Sequence, residues 1–373
     1  MTATALATWG WTRDVAEAWD RAVASAAAAG VGAIPCRVIA EHRGACDVAC
    51  EDGVVRARPD AALRRTATSG ESRPAVGDWA AIRTDAAGGA SAIAWILPRR
   101  SAFVRRDPGR EAATQVVAAN VDTVLVVTAV GRDVNARRLE RYLAVAWGSG
   151  ALPVIVVNKA DLHDGLTDAL RLAGMVAGAA PVLAVSARTG AGLASLATHV
   201  RPGCTVALLG SSGVGKSSLV NALVGEERME TGDVRADDDR GRHTTRARML
   251  VPLGDGACLL DTPGMRALGM AGGETGAGLD AAFADVVVLA AACRFTDCGH
   301  GPEPGCAVRR AIEDGSLPAE RLASHASLAL EARAATAMLG SRARAEERRA
   351  GRRRGVMYRE ILRAKYGEED RRG

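Results

Sequence analysis

Asn158, Lys159, Ala160 and Asp161 close an apolar run, PVIVVNKADL, at residues 153–162. A carboxylate placed there by a buried strand can accept hydrogen bonds from the ring N–H and the exocyclic amine of guanine, a donor pair that adenine lacks. Asn158 and Lys159 would hold the loop and cover the base. About fifty residues on, GSSGVGKSSL (210–219) fits G-x-x-x-x-G-K-[ST] between an apolar run and a helical pattern. Gly210, Gly213 and Gly215 let backbone N–H groups converge on a β-phosphate, and the helix start adds its partial positive charge. Ser211, Ser212, Val214 and Ser218 complete that cradle. Lys216 is placed to reach the β- and γ-phosphates, and Ser217 to ligate Mg²⁺.

Three further segments extend the reading. LLDTPG (259–264) puts Asp261 at the end of an apolar strand, where a carboxylate would hold Mg²⁺ through water, and gives the Gly264 N–H a place to sense the γ-phosphate. Residues 226–246 are polar and rich in Gly and Asp. Thr244 or Thr245 near their end could bring a hydroxyl to the metal, and Thr245 is the preferred ligand. Ser186 and Ala187, after PVLAV, would add backbone contacts to the guanine carbonyl. These parts run in the order base tetrad, Ser-Ala loop, phosphate loop, threonine segment, Asp-Thr-Pro-Gly. That is the usual GTPase order rotated. A parallel sheet tolerates the rotation because its nucleotide loops share one edge whatever the connectivity; a joint near RPGC (201–204) suffices.

A second kind of chemistry lies downstream. Cys293, Cys298, His300 and Cys306 are spaced C-x4-C-x-H-x5-C among glycines and prolines. Three thiolates and one imidazole fill a tetrahedral Zn²⁺ shell and leave no open position, the mark of a structural site. Cys36, His42, Cys46 and Cys50 make a weaker set, because small buried cysteines are ordinary in β-structure.

Composition narrows the class. The 373 residues, 48% of them hydrophobic, allow two or three domains with real cores. No apolar run approaches the roughly 18 residues a membrane span needs, and the N-terminus lacks a basic region followed by an apolar stretch, so we expect a cytoplasmic protein without membrane contact. Net charge is only +5, but residues 341–373 hold twice as many Arg/Lys as Asp/Glu. PRRSAFVRRDPGR (98–110) is a second basic knot, and both suit a polyanion such as nucleic acid. Of 48 basic residues only Lys159, Lys216 and Lys365 are lysine, and two of these stand in the nucleotide motifs. A compact ammonium fits between phosphates where a guanidinium fork does not.

The elements that must position these residues follow from texture. Residues 1–33 read as an Ala-rich helical extension. From 34 to 112, CRVIAEH, ACDVAC, GVVRARP, GDWAAIRT and SAIAWILP alternate with Gly, Asp and Pro turns, as in a small antiparallel barrel or sandwich. From 113 to 284 strands alternate with helices, so the class is α/β with a mostly parallel sheet, beginning with an apolar strand at the end of 113–130. Residues 285–373 carry the cysteine knot and a basic helical tail. Trp79, Trp95 and Phe103 are candidates for stacking on RNA bases, although in a domain so poor in aromatics at least two of them belong to the core.

Taken together, NKADL, VSA, GSSGVGKSSL, GRHTT, DTPG and CRFTDCGHGPEPGCAV, in that order, resemble the circularly permuted ribosome small-subunit-dependent GTPase A (RsgA) family. AANVDTVLVV and NARRLERYL also look like that family's entry into its GTPase domain. The resemblance covers about residues 35 to 330. It implies an N-terminal OB-fold, a permuted P-loop GTPase domain and a C-terminal helical zinc domain. It further implies GTP hydrolysis stimulated by the small ribosomal subunit in late maturation, with GTP-dependent binding and release of rRNA by a monomer. Met265 follows DTPG where the family often has Phe, and Arg246 follows HTT where a third Thr is frequent. Met265 also stands where Ras-like proteins carry a water-orienting Gln and cannot do that work, so His243 becomes the candidate to align the water. Two other readings compete: a GTP-sensing RNA-binding protein with incidental hydrolysis, and an ATPase or kinase on the same phosphate loop, against which Asp161 argues.

Overall fold

The structure is a computed structural model that describes residues 4–27, 33–66, 72–83, 91–106, 114–131, 133–162, 164–225, 249–254, 256–261 and 276–337. His243, Thr244, Thr245, Arg246, Gly264 and Met265 lie outside the described residues, as does the basic tail.

Two helices, α1 (Thr4–Ala7) and α2 (Arg13–Ala27), precede five strands: β1 (Ile34–His42), β2 (Ala45–Cys50), β3 (Gly53–Pro59), β4 (Trp79–Arg83) and β5 (Ser91–Ile96). A short helix, α3 (Ala61–Thr66), follows β3. The strands pair in the order β1-β2-β3-β5-β4, and a further β1–β4 pairing closes the ring. The expectation of an antiparallel barrel is corrected at one place, since β3 and β5 run parallel. Five strands in a closed ring cannot alternate direction all the way round, so one neighbouring pair must be parallel. Small side chains, Cys36, Val38, Cys46, Val48, Cys50 and Ala57, fill the narrow interior.

A two-stranded antiparallel unit, β6 (Ala102–Arg106) and β7 (Thr114–Ala119), links the barrel to the α/β domain. The sequence within 113–130 therefore forms two strands. Asn120, at φ 55°, turns the chain between them. Its side chain accepts from the Arg100 N–H at 3.0 Å and donates to the Gly77 carbonyl at 3.0 Å, satisfying the turn from inside.

The α/β domain then runs β8 (Thr123–Ala129), α4 (Ala136–Ser149), β9 (Leu152–Asn158), α5 (Leu166–Ala177), β10 (Val182–Ala184), α6 (Leu193–Ala197), β11 (Thr205–Leu209), α7 (Lys216–Val224), β12 (Met249–Pro252) and β13 (Cys258–Asp261). Sheet order is β10-β9-β8-β11-β13-β12, parallel throughout except for β12. Every residue of β8 is buried, as its unbroken apolar run requires in a strand covered on both faces. The order explains how the rotation is accommodated. Strand β11, reached only after β10 at the sheet edge, inserts beside β8, so the loops after β8, β9, β10 and β11 open on one edge. Ala40 of β1 pairs with Met249 of β12, joining barrel and sheet.

Among the described residues four helices follow: α8 (Ala277–Ala282), α9 (Ala284–Ala291), α10 (Ala307–Glu313) and α11 (Ala319–Ala337). Helix α8 crosses α4 so closely that a Cβ on Gly278 would lie 2.5 Å from the Gly148 Cα. Beside this crossing Arg321 reaches Glu140 at 2.7 Å and Asp285 at 2.8 Å, and Ser324 donates to Glu140. The Arg321–Glu140 pair is sealed from water.

The aromatic residues are disposed differently from a base-stacking platform. Phe103 and Trp79 are buried. Trp11 of the N-terminal extension meets Trp79 edge-on at 5.1 Å, and Trp19 stacks on Trp95 at 6.3 Å. The extension covers the rings because two indoles in one place gain more from each other than from water.

Candidate functional site

The phosphate loop connects β11 to α7. Gly210, Gly213 and Gly215 have φ of 154°, 79° and 87°, values that L side chains resist. A Cβ on Gly210 would lie 2.3 Å from the Val127 carbonyl, so this glycine is also required for the loop to pass over β8. Gly215 caps α7 and Lys216 is its first residue. The Lys216 ammonium donates to the Gly210 carbonyl at 2.9 Å and to the Ser211 carbonyl. Ser212 and Gly213 are exposed, Ser217 and Ser218 half-buried, and Val214 plugs into the sheet.

The loop after β9 meets this one directly. Asn158 is buried; its amide donates to the Val214 carbonyl at 2.9 Å, and its oxygen accepts from the Ala187 N–H at 3.2 Å. One side chain thereby ties the base tetrad to the phosphate loop and the Ser-Ala loop. Lys159, at φ 60°, sends its ammonium to the Gly213 carbonyl at 2.9 Å. Ala160 donates its N–H to the Val185 carbonyl at 3.1 Å, bringing the loop against the end of β10. Asp161 accepts from the Ser186 hydroxyl at 2.5 Å and from the Arg188 Nε at 2.9 Å. These bonds, Ser186 first and Arg188 second, hold its carboxyl below the usual carboxylate range. The loop after β9 thus carries a carboxylate held ionised by two donors, and it is hydrogen-bonded to the loop before α7.

Asp261 is the last residue of β13, beside β11 in the sheet. Its strand-end position matches the sequence reading; the remaining candidates, His243, Thr245 and Gly264, fall outside the described residues. Two contributors were not anticipated. Arg188 directly follows the Ser-Ala pair, so its place was available from sequence. Arg138, on α4, donates to the Ser211 hydroxyl across 73 residues, and no local pattern signals that contact.

The cysteine knot closes between α9 and α10. The Cys293 Sγ lies 3.8 Å from the Cys306 Sγ and 3.7 Å from the His300 Nδ1, and the Cys306 Sγ lies 3.6 Å from that same nitrogen. All four ligand atoms, Cys298 included, fall within 4.8 Å of one another. With metal–sulfur bonds of about 2.3 Å and metal–nitrogen bonds of about 2.0–2.1 Å, the edges of a tetrahedron are about 3.8 and 3.6 Å. Cys293, His300 and Cys306 therefore already stand at the separations a tetrahedral metal such as zinc demands, with Cys298 within 4.8 Å of each. His300, at φ 59°, and Gly305, at φ 78°, make the two sharp turns that bring them together. The second set does not assemble. Among the described residues no other group of this kind converges. Cys36 donates into the barrel wall at the Ala80 carbonyl, while His42 pairs with Asp47 at 2.7 Å.

The model of the RsgA GTPase family matches residues 96–271. The chain is 46% identical over 306 residues to the small ribosomal subunit biogenesis GTPase RsgA of Opitutus terrae, covering 80% of this chain and 83% of the relative. It is 42% identical over 374 residues to the protein of that name from Streptomyces coelicolor, covering 97% and 96%. Among solved structures it is similar to YjeQ from Thermotoga maritima, with a TM-score of 0.61 and 26% identity over 81% of this chain and 99% of that one. It shares its fold with YloQ, a circularly permuted GTPase, at a TM-score of 0.58 and 22% identity over 81% and 96% of the two chains. With its Asn-Lys-Ala-Asp loop ahead of its glycine-rich loop in the chain and hydrogen-bonded to it in space, and with this identity to its relatives, this chain belongs to the RsgA GTPase family.

Proposed function

We propose that the protein hydrolyses GTP to GDP and phosphate, that the small ribosomal subunit stimulates the reaction, and that it acts in the cytoplasm late in small-subunit maturation by GTP-dependent binding and release of rRNA. The observation that supports the GTP site is the Asn158 amide on the Val214 carbonyl at 2.9 Å, which ties the loop carrying Asp161 to the phosphate loop. The Opitutus and Streptomyces relatives, small ribosomal subunit biogenesis GTPases, support the ribosomal partner.

In this reading Asp161 accepts the guanine ring N–H and amine, with Asn158, Lys159, Ala160, Ser186 and Ala187 holding the base loops. The N–H groups of residues 210–218 cradle the phosphates, and Lys216 leaves its loop carbonyls for the β- and γ-oxygens. Ser217, Thr245 and Asp261 hold Mg²⁺, which neutralises charge developing on the transferred phosphoryl group. Gly264 reads the γ-phosphate, and His243 aligns the attacking water on the ribosome. Cys293, Cys298, His300 and Cys306 hold one structural Zn²⁺ per chain.

The test is hydrolysis of GTP and of ATP by purified protein with and without small subunits. Slow GTP turnover that rises strongly with subunits, and no ATP turnover, is expected. Turnover indifferent to subunits removes the ribosomal partner. Nucleotide-dependent RNA binding without stimulated turnover leaves a GTP-sensing RNA-binding protein.

A further inference from the structure

Arg138 lies in the first turn of α4, where its backbone N–H is capped by the Asn135 side chain at 3.0 Å. The cap fixes where the long side chain starts. Its Nη1 donates to the Asp133 carboxylate at 3.0 Å and to the Ser211 hydroxyl. Asp133 in turn accepts from the Thr128 hydroxyl at 3.1 Å, and Thr128 is buried near the end of β8. A continuous polar chain therefore runs from β8 through Asp133 and Arg138 to the second residue of the phosphate loop. Ser211 is held from both sides, its hydroxyl by Arg138 and its carbonyl by Lys216.

Building on the reading of residues 210–218 as a phosphate cradle, we propose that Arg138 is a positioning residue for guanine nucleotides, fixing Ser211 and so the entry of the phosphate loop. It reaches the loop through a side chain and touches no phosphate. Convergent N–H donors bind well only if the loop is ordered before the ligand arrives, since ordering it on binding subtracts from affinity. A guanidinium suits the task because its N–H groups spread in a fixed plane and can engage a carboxylate and a hydroxyl at once. This chain uses Arg almost everywhere, so the residue type by itself says little; the two anchored partners carry the argument. Ser211 belongs to the part of the loop shared by GDP and GTP, so the strut acts on both nucleotides and on ground state and transition state alike. Its loss belongs in Kd and KM and leaves kcat in place.

The experiment measures GDP and GTP affinity and steady-state kcat and KM for the full chain and for Arg138→Ala, Ser211→Ala, the double variant, Arg138→Lys and Lys216→Ala. Thermal unfolding of each verifies the fold. Arg138→Ala should weaken both nucleotides about 3- to 10-fold, with kcat within about 2-fold, as for the loss of one partly exposed charge-assisted hydrogen bond. Ser211→Ala removes the same bond from the other side, and the double variant should be no weaker than the worse single one. Arg138→Lys should recover part of the affinity. Unchanged affinity in Arg138→Ala, single effects that multiply in the double variant, or a fall in kcat at constant affinity would each overturn the proposal. Failure of the underlying reading looks different: the wild-type chain would then bind no guanine nucleotide, or Lys216→Ala would bind as well as wild type.

Discussion

The Asn158 side chain donates to the Val214 carbonyl at 2.9 Å, joining two loops that lie 56 residues apart in the chain. Beside them the backbone leaves no slack. A Cβ on Gly215 would sit 2.4 Å from the Asn158 amide nitrogen, at a φ of 87° that side chains resist. Gly215→Ala should therefore push Asn158 off the loop and weaken binding of GTP and GDP at least about 10-fold, the loss expected when a buried amide and carbonyl are left unpaired. Titration with a fluorescent guanine nucleotide checks this; retained affinity would mean that the loops do not act as a unit.

Base choice should be insensitive to pH over a wide range. The Ser186 hydroxyl, and then Arg188, lower the Asp161 pKa in the folded protein. For a carboxyl so depressed the ionised form persists above the ordinary value and is lost only as pH falls through the lowered folded pKa. The preference for GTP over ATP should stay flat from about pH 7.5 to about pH 5 in competition binding. A preference that titrates away inside that window would show that the carboxylate is not held ionised. Asp161→Asn should lose the preference at every pH.

Metal loss should be local. Cys293, Cys298, His300 and Cys306 lie at the turn between α9 and α10, and their side-chain hydrogen bonds among the described residues stay within residues 289–309. Elemental analysis should find one zinc per chain in the wild type, and Cys298→Ser or a strong chelator should remove it and open residues 293–306 to protease. Guanine nucleotide binding should persist. Loss of both together would place the metal in the nucleotide site's support.

The contact between α4 and the C-terminal helices depends on a buried charge. Arg321 and Glu140 pair at 2.7 Å with almost no exposure on either side chain. Arg321→Ala leaves Glu140 buried with Ser324 as its remaining polar partner, and should destabilise the protein by about 3–5 kcal/mol in denaturant unfolding. Replacing both residues by apolar ones of similar volume should cost far less. Equal losses in the two variants would show that packing, and not the isolated charge, sets the effect.

What the sequence determined by itself is local chemistry. The NKAD and GSSGVGKS segments, the strand ending at Asp261 and the cysteine spacing were legible because each is a short run whose residue types answer one chemical demand. The five barrel strands were legible too, since each is bounded by turn residues. The tertiary structure decided what depends on distant partners. Closure of five strands forced the parallel β3–β5 pair. The extension's Trp11 and Trp19 pack on Trp79 and Trp95, partners that the pattern within the barrel does not name. Arg138 became part of the phosphate loop only because β11 inserts beside β8 and carries Ser211 to the start of α4. Sequence spacing encodes what one loop can do; which loops share an edge is set by the order in which buried strands pair, and no segment carries that order alone.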